Sequence, residues 1–477
     1  MTTASLLNRN LVTMDDLSNQ EIESIFSLAD EMFNSINSQS EMCRGKIMAS
    51  LFFEPSTRTR LSFETAMLRL GGRVISAVDI GASSLAKGES IADMARVIGS
   101  YADIIVIRHP WEGAAKVVAE YAGIPVINAG DGSHEHPTQT LCDLYTIKKE
   151  KQTIKGLKIA LWGDLKHGRT IHSLTCALAR FGATLLFHPS PGLEMPEYIL
   201  RKLTTECGGT LERNVAALEY ASKGRFFPVD AIYMTPSRPH QLAMMPDISA
   251  QVELKAGIDA LYITRLQKER LAPSKRELDM GESYLMVDKT FLRKKELRKA
   301  LVMHPLPRID ELAYEIDADP RSMYFKQAAR GVPVRMALIA LLLGAKEITI
   351  SEEDKSFTPK INYTIYKRDS GIKCANPICV SNQETETRYI KPEFEIINLA
   401  PLILRCVYCE HELYPRYIAS SDWHEGRLEN KKYHDSDSRW IREIKPENLI
   451  IFDSENEAQA RGFKPSKYVV RSNERSK

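Results

Sequence analysis

The sequence predicts an α/β protein with two doubly wound parallel-sheet domains, followed by a small β module and a small C-terminal appendage. Three observations lead there. Between residue 47 and about 345, short apolar runs ("KIMASLFF", "ADIIVIRHP", "GIPVINAG", "LKIALWGD", "ATLLFHPS", "DALYITR", "LVMHPLPR") alternate with stretches of helical periodicity. That is the pattern of βα units whose strands are buried on both faces. At 477 residues the chain is long enough for several cores. After "GAKEITI" the pattern breaks, and β-branched and aromatic residues surround two cysteine pairs.

Taken in order, Ser18 and Glu21 form a capping box, and Ile22, Ile25, Phe26 and Ala29 recur at helical spacing behind it. The run Ile47 to Phe53 reads as a buried strand, and residues from about Thr57 to Leu70 as a helix stopped by Gly71 and Gly72. A helix ending near Ile147 and the charged stretch "KKEKQTIKG" mark a boundary, giving domains 1–148 and 149–310. Arg330 to Leu343 reads as a long buried helix. Residues 348–415 hold a linker and the β module, and 416–477 form a charged tail with enough apolar residues (Trp440, Leu449, Ile450, Ile451, Phe463) to fold. No apolar stretch approaches the roughly 20 residues of a membrane span. The N-terminus lacks the features of a secretory signal, so a cytoplasmic location is expected. A net charge of +2 gives no general reason to bind nucleic acid or membranes.

One stretch carries concentrated chemistry. "FEPSTRTRLSFE", Phe53 to Glu64, sets hydroxyls and Arg58 at the start of a helix. Unpaired backbone N–H groups and the positive end of the dipole favour an anion there. A phosphate suits Ser56, Thr57, Arg58 and Thr59. By spacing alone, a Ser/Thr helix cap beside surface arginines explains the stretch equally well.

The spelling of the stretch resembles the carbamoyl-phosphate motif of the aspartate and ornithine carbamoyltransferases. Six further motifs follow in that family's order: "SSLAKGES" (Ser83, Lys87), "RHP" (Arg108), "HPTQ" (His136, Gln139), "GDLKHGRT" (Arg169), "TRLQKER" (Arg265, Gln267, Arg270) and "HPLPR" (Leu306, Pro307). The resemblance implies that Thr59, Arg108 and His136 are catalytic, hydrogen-bonding the carbonyl oxygen as it becomes an oxyanion. Ser56, Thr57, Arg58 and Thr59 would hold the phosphate, with Ser83 and Lys87 from a neighbouring subunit. Gln139 and the backbone carbonyls around Leu306 and Pro307 would orient the carbamoyl amide. Lys87, Arg169, Arg265 and Gln267 would bind aspartate, whose carboxylates suit bidentate arginines. "HPLPR" and "RLQKER" resemble the aspartate branch, whereas ornithine enzymes are expected to carry "HCLP". The implied reaction is carbamoyl phosphate plus L-aspartate giving N-carbamoyl-L-aspartate and phosphate, in pyrimidine biosynthesis, by a homotrimer with shared sites. A carbamoyltransferase for another amine and a non-catalytic regulatory paralogue are the alternatives. Residues 311–347 are expected to return as helices to the first domain. Glu54 is expected to pair with Arg169 or Arg270 when the domains close, and Arg60 to be structural. The spacing from Arg169 to Arg265 looks long for the family, with extra residues expected around "ECGGTLERNVAALEYASKGRFFPVD" and "SRPHQLAMMPDISAQVELKAG".

Cys374 and Cys379 form C-x4-C, and Cys406 and Cys409 form C-x2-C. Four thiolates from two knuckles make a closed structural Zn2+ site. The ends "CANPIC" and "CVYCEHEL" are similar to the zinc domain of the aspartate carbamoyltransferase regulatory chain. Too few residues lie between the long helix ending at Leu343 and Cys374 for that chain's nucleotide-binding domain, so no response to CTP or ATP is expected by that route. The module is expected to dock against catalytic subunits. The tail "YHDSDSRWIREIKPENLIIFDSENEAQARGFKPSKYV" resembles the metal-binding domain of DNA alkyl-phosphotriester repair proteins. The ligand positions would be His434, Ser438, Ser466 and Val469, and serine and valine cannot replace thiolates there. A metal-free relic fold is expected.

Overall fold

The computed structural model describes residues 2–35, 40–78, 87–207, 229–235, 258–265, 286–350, 361–366, 372–384, 388–422 and 431–466. After a short strand β1 (Thr2–Ala4), helix α1 (Asn19–Asn34) starts at the predicted capping box: Ser18 accepts from the Glu21 N–H, and the Glu21 carboxylate accepts from the Ser18 N–H. The first sheet comprises β2 (Ile47–Phe52), β3 (Arg73–Ala77), β4 (Ile104–His109) and β5 (Val126–Asp131), in spatial order β3-β2-β4-β5 and parallel throughout. Every residue of β4 and β5 is buried, as the unbroken apolar runs require. Helices α2 (Thr57–Arg69), α3 (Ile91–Gly99), α4 (Ala114–Tyr121) and α5 (Pro137–Lys151) connect and cover these strands.

The second sheet comprises β6 (Lys158–Gly163), β7 (Thr184–Pro189), β8 (Ala231–Thr235), β9 (Ala260–Ile263) and β10 (Leu301–Met303), in order β10-β9-β8-β6-β7 and also parallel. Helices α6 (Arg169–Arg180) and α7 (Glu197–Thr205) belong to it. In each sheet the strand order reverses once, between β2 and β4 and between β6 and β8, which is where such sheets open a crevice at their carboxyl ends. Helix α8 (Tyr324–Leu342) then crosses back and packs against α1, α2 and α5. Strand β11 (Ile348–Ile350) pairs antiparallel with β1.

Three predicted limits move. Helix α5 runs to Lys151 and ends at Gln152 in a left-handed turn, not near Ile147, so the boundary at 148 falls inside it. Lys148, Lys149 and Lys151 sit in its last turn, where cations favour the helix dipole, so the charged stretch prolongs the helix. The long helix starts at Tyr324, earlier than Arg330. Residues Ile348–Ile350, assigned to the linker, are a strand tied to the N-terminus.

The cysteine module is an antiparallel sheet of β12 (Ile365–Tyr366), β13 (Phe394–Leu399), β14 (Leu402–Cys406) and β15 (Glu412–Leu413), with a short helix α9 (Val380–Gln383). The tail folds as β16 (Tyr417–Ser420), β17 (Lys432–Asp435), β18 (Leu449–Phe452), α10 (Glu455–Ala460) and β19 (Lys464–Pro465), in order β18-β16-β17-β19. Ala419, Tyr433, Phe452, Ala458 and Phe463 form its own core.

The module sits on its own chain. Its buried Cys374, Cys379, Val380, Phe394 and Leu404 share one apolar core with Ile105, Ile107, Val117 and Val118 of the first domain. At the seam, Glu112 N–H donates to the Ile378 carbonyl (3.0 Å), Val380 N–H to the Glu112 carbonyl (2.9 Å), and Asn376 Nδ2 to the Glu112 carboxylate (2.5 Å). Gly113 has φ +84°, and a Cβ there would meet the Tyr408 backbone at 2.8 Å, so only glycine permits this approach. The second domain joins in: Lys202 on α7 pairs with Glu410 (2.9 Å) and Asp15 (2.6 Å), and Arg201 with Glu412 (3.0 Å). No helix among the described residues is long and apolar enough to cross a membrane.

Candidate active site and metal centre

Between the two sheets, at their carboxyl ends, lies a cleft of about 400 Å³. Three helices begin in its wall: α2 after Ser56, α5 after His136 and α6 after Gly168. None of these three N-cap residues makes a side-chain capping hydrogen bond, whereas Ser18 and Ser90 cap α1 and α3 away from the cleft. No side chain therefore closes these three starts, and although the Gln139 and Ile171 N–H groups donate to the His136 and Gly168 carbonyls (3.0 Å each), three positive dipole ends face one volume. This decides the question left open by spacing: Ser56 is not spent as a helix cap.

The walls gather Ser56, Thr57, Arg58, Thr59, Arg108, His136, Gln139, Arg265, Leu306 and Pro307. Arg108 is buried at the end of β4, where Glu54 Oε1 lies 3.0 Å from its Nη2 and it donates to the Ala129 carbonyl (3.3 Å). Thus Glu54 pairs with Arg108 in this structure; the Arg169 side chain and Arg270 lie outside what is described. The His136 N–H donates to Ser173 Oγ (3.3 Å), and that hydroxyl donates to Glu135 (2.6 Å). Partial burial, and next the neighbouring Arg265 cation, pull the Arg58 guanidinium below its ordinary value. Two cations held near each other in this way favour an anion between them. Arg60 instead turns to Glu64 (3.8 Å), which also accepts from Ser50 and Ser76.

On the opposite wall, Leu306 adopts φ +55° in the turn after β10. A left-handed Leu is uncommon, and such backbone is held where surroundings over-determine it. Here His304 does so: its Nδ1 accepts from the Leu306 N–H (2.8 Å) and its Nε2 meets Glu311 (2.8 Å). Burial pulls the His304 imidazole below its ordinary value.

Of the other predicted residues, Lys87 is exposed and is not in the wall of its own chain's cleft. Arg169 opens α6 between the wall residues Gly168 and Thr170. Ser83, Gln267 and Val469 lie outside the described residues, as do the two stretches of expected extra residues apart from Glu206, Cys207, Val229 and Asp230 at the ends of the first. Sequence reasoning missed Ser62, Tyr233, Thr235, Thr264, Gln327 and Arg335, which also line the cleft. Arg335 is buried, donates to Ser62 Oγ (2.9 Å) and lies over the Phe63 ring (5.0 Å). An arginine inside the otherwise apolar run from Gly331 to Leu342 was the available signal. Beneath them, burial lifts the Asp143 carboxyl to about 7, opposed by hydrogen bonds from Gln327, Gln139 and Tyr262 and by the Arg335 charge.

In the β module, Cys374, Cys379, Cys406 and Cys409 are buried and unbridged, with all four sulfurs within 4.8 Å of one another. Cys374–Cys409 and Cys379–Cys406 sulfurs are 3.5 and 3.8 Å apart. A tetrahedron with bonds of about 2.3 Å places its sulfurs about 3.8 Å apart, so the four fit a single metal ion. In the tail, His434 Nδ1 and Ser466 Oγ are buried without a hydrogen-bond partner, and no metal-ligand cluster forms there among the described residues.

Residues 9–149 match the aspartate/ornithine carbamoyltransferase carbamoyl-phosphate-binding domain, 155–342 its Asp/Orn-binding domain, and 367–419 the metal-binding domain of the aspartate carbamoyltransferase regulatory chain. The chain is 46% identical over 343 residues to an aspartate carbamoyltransferase catalytic subunit of Clostridium botulinum, covering 72% of this chain and 100% of that one. It is 44% identical over 341 residues to the corresponding subunit of Thermoplasma acidophilum, covering 71% and 99%. Among solved structures, the catalytic subunit of M. jannaschii aspartate transcarbamoylase matches with a TM-score of 0.55 at 42% identity, over 70% of this chain and 98% of that one. The Trypanosoma cruzi aspartate transcarbamoylase in complex with carbamoyl phosphate and aspartate matches with a TM-score of 0.57 at 35% identity, over 71% and 98%. With this cleft, these motifs and these relatives, the chain belongs to the aspartate/ornithine carbamoyltransferase family, as an aspartate carbamoyltransferase catalytic chain continued by a regulatory-chain-type metal-binding domain.

Proposed function

We propose that this chain transfers the carbamoyl group of carbamoyl phosphate to L-aspartate, giving N-carbamoyl-L-aspartate and phosphate, a step toward pyrimidines. The observation that carries it is the convergence of three uncapped helix starts with Arg58, Arg108 and Arg265 on one cleft, in a chain whose relatives are aspartate carbamoyltransferases. The phosphate sits at the start of α2 on Ser56, Thr57, Arg58 and Thr59. The aspartate amine attacks the carbamoyl carbon, and Thr59, Arg108 and His136 donate to the carbonyl oxygen as charge develops on it. Arg169, Arg265 and Gln267 take the aspartate carboxylates. Catalysis by positioning and electrostatics needs no nucleophilic side chain.

The exposure of Lys87 supports a homotrimer in which Ser83 and Lys87 complete a neighbour's site. The four cysteines hold a structural Zn2+, which fastens the two knuckles of the module. A cytoplasmic location accords with eight cysteines and no disulfide. The test is an assay of the full chain with carbamoyl phosphate and either aspartate or ornithine. Carbamoyl-aspartate with no citrulline is expected; carbamoylation of ornithine or of another amine in preference overturns the assignment.

A further inference from the structure

Under the cleft floor, Asp143 on α5 is fully buried, and donors from three elements converge on it. Its Oδ1 accepts from Gln139 Nε2 (2.9 Å) on α5 and Gln327 Nε2 (2.8 Å) on α8, and its Oδ2 accepts from the Tyr262 hydroxyl (2.9 Å) on β9. We infer that Asp143 is a positioning residue for recognition of the carbamoyl amide: by holding both glutamine NH2 groups, it turns the Gln139 carbonyl into the cleft as an acceptor for an NH2 donor. This rests on the transferase reading above.

The reasoning is one of satisfiable hydrogen bonds. A carboxylate oxygen only accepts, so each glutamine meeting Oδ1 must present its NH2 end. A proton on Oδ2 would turn around only the Tyr262 bond and leave Oδ1 an acceptor. Gln327 then spends its other end within the protein, because its Oε1 accepts from the His304 N–H (3.0 Å). That bond also ties Asp143 to the turn carrying Leu306 and Pro307. Gln139 differs. It lines the cleft, and no described residue donates to its Oε1. The amide oxygen is therefore kept for a ligand, and the ligand group that meets it must be a donor. An NH2 fits; a methyl group of the same size leaves a partly buried acceptor without a partner, which is costly.

Calorimetric binding of carbamoyl phosphate and acetyl phosphate to the full chain tests this, since the second ester only replaces NH2 with CH3. The wild type is expected to prefer carbamoyl phosphate by about tenfold or more. Asp143→Leu, which is close in size and removes the acceptor oxygens, should shrink the preference to about threefold or less and leave acetyl phosphate affinity within about twofold, whereas Asp143→Asn, whose Oδ1 still accepts from both glutamines while its NH2 donates to Tyr262, should keep it. Gln139→Met should erase the same preference, and the double variant should add nothing further. If Asp143→Leu does not fold, Gln139→Met must still lower the preference while Tyr262→Phe, which removes the bond to Oδ2 and a long contact from Gln327 (3.3 Å) but leaves both bonds to Oδ1, keeps it. The inference is overturned if acetyl phosphate affinity falls in step with that of carbamoyl phosphate, if Asp143→Leu keeps the wild-type preference, or if the wild type binds both esters equally. A wild type that binds carbamoyl phosphate selectively yet makes no carbamoyl-aspartate overturns the transferase reading instead.

Discussion

Arg58 shows how a residue is kept for a ligand. No described carboxylate forms an ion pair with it, its partial burial and Arg265 both disfavour its charge, and it stands at the uncapped start of α2. The fold gains nothing from that charge, while an anion in the cleft would gain three kinds of donor at once. Arg58→Ala should therefore reduce kcat/KM for carbamoyl phosphate by about 100-fold or more, the scale of losing one preorganised charge-stabilising donor. Its unfolding temperature should stay within about 2 °C of wild type, as a substitution without packing or pairing consequences allows. Steady-state kinetics beside a thermal melt check both halves; turnover close to wild type would remove the phosphate role from this residue.

At the level of elements, the seam between first domain, second domain and cysteine module is built from buried charge. His134 follows β5, is buried, and contacts Asp131 at 3.0 Å and Glu410 at 4.0 Å. Burial disfavours its cation, but Asp131, Glu410 and Glu135 outweigh this and raise it from 6.5 to about 10. Glu410, between His134, Lys202 and Arg405, is held well below the usual carboxylate range although burial opposes this. The sign follows from linkage. A raised histidine contributes stability that is fully present below about 6.5 and is lost as pH rises through about 10. Denaturant titrations from pH 6 to 10 should show stability falling over that window, and His134→Gln should flatten the slope while lowering stability at pH 6. An unchanged slope in the variant would assign the pH dependence to other groups.

On the scale of the whole molecule, the module is not an independent bead. Its cysteines and Phe394 share a continuous apolar core with Ile105, Ile107 and Val118, and its acids pair with Arg201 and Lys202 of the second domain. Binding energy of the metal is folding energy for the module, and by this shared core it reaches the catalytic domains. Chelation should lower the melting temperature of the catalytic domains as well as that of the module, by about 5 °C or more. Calorimetry with and without chelator checks this. A catalytic transition that does not move when the metal is removed would show that the shared core transmits nothing.

The sequence by itself determined the two parallel sheets and the local chemistry, because βα periodicity and helix-start motifs are properties of neighbouring residues. Periodicity set Ser56 to Thr59, Arg108, His136, Gln139, Leu306 and Pro307 at or after strand ends, and only the resemblance of their motifs to the carbamoyltransferases implied that they share one site; the fold places them on one cleft. The sequence could also pair the cysteines by spacing. It could not tell Ser56 as a helix cap from Ser56 as a ligand donor, nor see that Asp143 joins Tyr262 and Gln327, 119 and 184 positions away. Periodicity says only that such residues are buried. Which buried donor meets which buried acceptor is decided when the two sheets and α8 close on one another, because hydrogen bonds between distant segments exist only at the distances the fold sets. The seat of the cysteine module was decided there too: its sequence presents an apolar face, and only packing shows that the first domain of the same chain covers it.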